Sequence, residues 1–203
     1  MGAAVMVDQY IHLYEKIGLF PAGLCMGLVL VVVHLAAALW PRGVLRLLSG
    51  ANASARCGQA LLTLDFLWIA LLLWDNPANP LRMDLFDFNF ARGCLLIACP
   101  IVCFVLCAYS QQNLLGRALG LFLLLLGIVP LSAAYLKDPA TRLLIPIWWY
   151  PVLTYAILLV PMPWLLRDTL SALAARPGLT RVLALAGLIY GVAILTCAFL
   201  YWL

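Results

Sequence analysis

Ile17–Trp40 reads IGLFPAGLCMGLVLVVVHLAAALW, and Gly58–Trp74 reads GQALLTLDFLWIALLLW. Each is an apolar run interrupted by one ionisable side chain, His34 in the first and Asp65 in the second. Each is long enough, or nearly so, to cross a hydrocarbon layer that takes about 20 apolar residues in a helix. In that layer no water satisfies peptide groups, so a spanning segment is a helix or part of a closed barrel. Barrel strands alternate apolar and polar residues over short segments. These runs are continuous and rich in Leu, Val and Ala, which selects the helix.

The rest of the chain agrees. Of 203 residues, 67% are hydrophobic and only 10% charged, and the mean hydropathy is +1.09. A soluble domain is nearer half apolar and a quarter charged. The expected fold is therefore an all-α, polytopic membrane protein: one domain over 1–203, a bundle of six transmembrane helices with short interfacial helices. The spans are expected at 17–40, 58–74, 93–109, 114–136, 143–166 and 181–203. Val5–Lys16 mixes polar and apolar residues at helical spacing and reads as an interfacial helix leading into the first span. Asp8 and Glu15 there argue against a cleavable leader.

Small residues mark the packing faces. Gly23 and Gly27 share a face of the first span with His34, Gly116 and Gly120 pair in the fourth, and Gly187 and Gly191 pair in the sixth. Such stripes let helix backbones approach closely. The fifth span is irregular, with Pro146, Pro151, Pro161 and Pro163. Asp75–Arg92 is the longest polar break, with two Asn-Pro pairs that favour turns. It is expected at the interface with its aromatics toward lipid or a neighbouring subunit.

The basic connector Pro41–Cys57 joins the first two spans. Counted inward from it, His34 and Asp65 both lie about 10 Å deep at ~1.5 Å per residue. A hydrogen-bonded pair across an opening hairpin is the expectation, with Arg117 and Tyr190 as alternative partners for Asp65. An intramembrane ionisable group is a functional hypothesis by default, although a purely structural interhelical hydrogen bond is the simplest role for the pair.

Other chemistry is sparse. The seven cysteines show no CxxC pair and no Cys/His zinc spacing, so no metal site is expected. Cys99, Cys103 and Cys107 form a helical stripe that reads as packing. No GxSxG, HExxH, Walker or GxGxxG pattern occurs, which points away from an enzyme. His12 and His34 are the only histidines. They stand about 22 residues, or ~33 Å of continuous helix, apart. Two axial haem ligands from this chain would need it to fold back at Pro21. A single-ligand haem or pigment at His34 is the one cofactor reading left.

Three functions compete. The leading expectation is a non-enzymatic structural or accessory subunit of a larger membrane complex, with other membrane subunits and the lipid bilayer as partners and no nucleic acid. The alternative is a small proton- or cation-coupled transporter using Asp65 and His34. A lipid- or quinone-processing enzyme is the weakest, because Asp84, Asp87, Asn89 and Arg92 offer no nucleophile or metal pattern. Arg42, Arg46, Arg56, Arg117, Arg167, Arg176 and Arg181 fall on one side of six alternating spans. The positive-inside rule puts that side in the cytoplasm, making this a multi-pass cell-membrane protein with both termini non-cytoplasmic.

Overall fold

The computed structural model describes residues 13–76, 79–109, 113–135 and 137–203. It is the all-α bundle that the apolar runs predict, and no strand occurs among the described residues. Most of the Val5–Lys16 segment lies outside them; Leu13–Lys16 forms a single helical turn.

Helix α1 (Leu19–Leu39) leads through Trp40 into the amphipathic helix α2 (Pro41–Ala53), which starts on a proline at its first position. There the missing N–H costs nothing, since that donor has no intrahelical acceptor. Ser54 separates α2 from α3 (Ala55–Leu73). A polar loop and a 3-10 turn (Phe86–Ala91) precede α4 (Arg92–Tyr109). Helix α5 (Leu114–Ala134) begins at Asn113, whose φ of 56° is left-handed; asparagine tolerates this better than most residues. A second 3-10 turn (Ala140–Leu143) opens α6 (Leu144–Leu159), which is followed by α7 (Trp164–Ala175) and α8 (Pro177–Tyr201). Among the described residues, six segments are long and apolar enough to span a membrane: Leu19–Leu39, Ala55–Leu73, Asp87–Tyr109, Leu114–Ala134, Ala140–Leu159 and Pro177–Tyr201.

Three boundaries differ by four residues or more from the sequence expectation. The fifth span ends at Leu159 rather than Leu166, the sixth begins at Pro177 rather than Arg181, and the third begins at Asp87 rather than Gly93, where the 3-10 turn runs directly into α4. Pro161 and Pro163 account for the first difference. Neither supplies a backbone donor, and each disfavours helix at the residue before it. The chain turns there into α7, so span–surface helix–span occurs twice, as α1–α2–α3 and as α6–α7–α8. The surface helices α2 and α7 touch each other.

The spans pack as two cores joined by α5. In one, α1 runs along α8, and Leu19, Leu30, Ile145, Trp149, Ile194, Ala198 and Trp202 are buried together with Ala134 of α5. In the other, α3 packs on α5 around Leu62, Leu114 and Ala118, with α4 on its flank. Glycines set the closest approaches. A Cβ on Gly191 would stand 2.9 Å from Leu30 Cβ, one on Gly58 2.8 Å from the Leu115 amide nitrogen, and one on Gly120 2.8 Å from the Ala156 oxygen. Val29, Val32, Val33, Ile97, Ile101 and Phe104 point outward, the apolar surface that acyl chains would cover.

Candidate functional site

Asp65 stands about ten residues, or ~15 Å, from the start of α3, near mid-span. It shares its face with Gly58 and Leu62, spaced seven and three residues before it, the face that meets α5. Leu62 clusters with Leu114 and Ala118 on one side of it. On the other, the Trp68 and Phe122 rings meet edge-on at 6.2 Å. Asp65 is fully buried (0% exposed), and neither carboxylate oxygen has a hydrogen-bond partner among the described residues. Buried polar groups are nearly always paired. This one is the exception in the bundle that carries a potential full charge at mid-span.

His34 lies in the other core. Its Nδ1 is 2.8 Å from the Leu30 carbonyl oxygen one turn back, so that nitrogen donates. The opposite edge of the ring, Cδ2 and Nε2, abuts Gly187 so closely that any Cβ there would overlap it. Trp148 meets the ring edge-on at 5.6 Å and stacks on Tyr190 at 5.3 Å. The Tyr190 hydroxyl donates to the Leu144 carbonyl at 2.7 Å.

The expected His34–Asp65 hydrogen bond is therefore not made. The equal depth expected from the sequence is not kept either: His34 stands five residues from the end of α1 and Asp65 ten from the start of α3, because the connector is itself a helix and α3 begins earlier than its apolar run. Thirteen residues of α2 span about 20 Å at 1.5 Å each, and α1 packs along α8 while α3 packs with α5 and α4. Tyr190 is not the partner of Asp65 either, since its hydroxyl serves Leu144 in the other core. No oxygen of Asp65 accepts from Arg117.

A haem or pigment does not fit at His34. Axial ligation needs a free imidazole nitrogen facing open space. Here Nδ1 is engaged by Leu30, and Nε2 faces Gly187 across the α1–α8 contact. A cavity of about 200 Å³ lies next to the Trp148–Tyr190 stack, lined by Ile147, Pro151 and Val152, but His34 does not line it. His12 lies outside the described residues. No three His, Cys, Asp or Glu side chains converge among the described residues. Cys99 is buried, with its sulfur 3.8 Å from the Phe66 oxygen of α3.

One structural organiser was not legible beforehand. Arg92, almost fully buried, donates to Asp75 Oδ1 at 3.0 Å, to Asn89 Oδ1 at 3.0 Å and to the Met83 carbonyl. Asn79 donates back to the Leu71 and Trp74 carbonyls. Together they hold Asp75, Asn79 and Met83–Arg92 at the end of α3 as a hydrogen-bonded cap. The sequence showed an arginine beside acids, but not which backbone carbonyl it would reach.

No protein-family model, curated protein or solved structure matches the chain.

Proposed function

We propose that the protein is a small proton- or cation-coupled carrier in which Asp65 takes up and releases the ion. One observation carries this reading: a carboxyl group wholly buried at mid-span with both oxygens unpartnered. An ionised carboxylate in apolar surroundings forfeits several kcal/mol of solvation unless a partner replaces it. Asp65 is thus compatible with this conformation as the neutral acid or with a cation bound. It becomes a free carboxylate only when α3 and α5 part enough to admit water. Ionisable groups kept inside membrane helices characteristically mark such pathways. His34 has no part in the reading, because its ring is committed to Leu30, Gly187 and Trp148.

The test is ion flux into proteoliposomes of the full chain under an imposed pH or monovalent-cation gradient. Asp65→Asn is expected to cut the flux at least tenfold while the protein still elutes as the same species. Flux equal to that of the parent chain would remove the proposal, as would a parent chain that conducts neither protons nor monovalent cations.

A second reading, an accessory subunit of a larger membrane complex, draws on α4. Its span is the least buried of the six, at 11%. Its main packing partner is α3, and Ile97, Ile101 and Phe104 face outward. Such a face suits acyl chains or the helix of another subunit. Extraction in mild detergent discriminates: a stoichiometric partner supports this reading, and a well-behaved solitary chain counts against it. In either case we place the α2/α7 face in the cytoplasm, on the strength of its arginines.

A further inference from the structure

Helices α2 and α7 and the first turn of α8 border a half-open cavity of about 340 Å³, lined by Pro41, Arg42, Leu45, Arg46, Ser49, Leu173, Ala174 and Pro177. That volume lies at the lower end of the range of ligand sites, about 300–1,000 Å³. Arg42, Arg46 and Ser49 are spaced four and three residues apart, so they form one line along α2. Pro41 and Leu45, both buried, make the apolar floor. No acidic side chain lines the cavity. Among the described residues neither Arg42 nor Arg46 forms an ion pair, in contrast to Arg82 and Arg92 with Asp75 and Arg167 with Asp168.

From this we infer that the cavity binds the phosphate of an anionic phospholipid, with Arg42 and Arg46 as its cationic clamp and Ser49 as a hydroxyl donor. Three features select a lipid over a soluble phosphate. The cavity sits where α1 ends and α8 begins, the level of the headgroups. Most of its lining is apolar and suits a glycerol backbone rather than a fully hydrated ion. Leu47 and Leu48 of α2 are exposed on either side of its polar line, as in a helix that dips into the acyl boundary. Arginine presents a planar fork that pairs with phosphate oxygens bidentately. Basic pockets beside membrane helices are the recurrent setting for such headgroups. The inference is independent of Asp65 and stands whether or not the protein carries ions.

The experiment uses the full chain in detergent micelles, with phosphatidylglycerol retention read by native mass spectrometry against phosphatidylcholine and against inorganic phosphate. The parent chain is expected to retain phosphatidylglycerol in preference to phosphatidylcholine, and Arg42→Gln with Arg46→Gln to reduce that retention at least tenfold. Both arginines are exposed, so the double variant is expected to keep the parent thermal transition. Arg167→Gln, on the same side but outside the cavity, should leave retention unchanged. Equal retention of the two lipids would show adsorption without regard to charge, and equal loss in Arg167→Gln would show only generic charge attraction; either result overturns the site. Displacement of the lipid by millimolar inorganic phosphate would assign the cavity to a soluble anion and overturn the lipid assignment.

Discussion

His34 and Asp65 fall in different cores, and the cores treat them in opposite ways. In the α1–α8 core, His34 has a hydrogen bond to its own helix, an aromatic neighbour and a glycine cut to its shape. In the α3–α5 core, Asp65 has apolar neighbours and unpaired oxygens. A polar group satisfied within its own helix is quiet, because no rearrangement would improve its situation. A polar group left unsatisfied keeps the core that holds it short of its best stability, which natural proteins tolerate mainly where activity depends on it. The contrast, more than either residue alone, is what the proposal for Asp65 rests on, with His34 held as a fixture of its core.

The contrast can be tested at the glycines first. At Gly58 a new methyl meets α5 backbone, 2.8 Å from the Leu115 nitrogen. Gly58→Ala should therefore cost about 3 kcal/mol, the upper part of the overpacking range, read by reversible denaturation in bicelles. Truncating Leu114 to alanine should not restore it. At Gly187 the obstacle is the His34 side chain. Gly187→Ala is expected to cost about 2 kcal/mol, most of it recovered when His34→Ala is added. Failure of that rescue would mean that the two helices, rather than the ring, set the spacing.

Next comes the carboxyl group itself. Asp65→Leu removes an unpaired buried polar group of about the same length, so it is expected to stabilise the fold by about 1–2 kcal/mol while ion flux is lost. A destabilised variant would mean that Asp65 has a structural partner after all. The smallest effect is expected at His34. A hydrogen bond inside a membrane bundle averages about 0.6 kcal/mol and reaches ~1.7, so His34→Ala should fall in that range and leave flux unchanged. A flux defect there would return the histidine to the mechanism.

Much of the fold was legible because the bilayer imposes one rule on every span. Length and hydropathy located all six, and the prolines of the fifth were visible, though not that Pro161 and Pro163 would end it. Which spans neighbour one another was not legible. The periodicity of α1 identifies a Gly23–Gly27–His34 face without naming the helix opposite, and α8 offers a matching Gly187–Gly191 face far along the chain. Adjacency in sequence suggested α3 instead. The decisive quantity is the length of α2, which separates α1 from α3. Arg42, Arg46 and Ser49 gain a common line only once that segment is known to be helical and to rest on α7.

The partnership of α1 with α8 also bears on biogenesis. Spans enter the bilayer in the order they are translated, and α1 has its main neighbour in α8, five spans later. Until α8 arrives, Gly23, Gly27 and His34 are left facing lipid or other proteins, while α3, α4 and α5 already have what they need to assemble. Insertion should thus pass through a half-built intermediate in which the Asp65 side is closed and the His34 side is open, the stage at which a membrane chaperone would have something to hold.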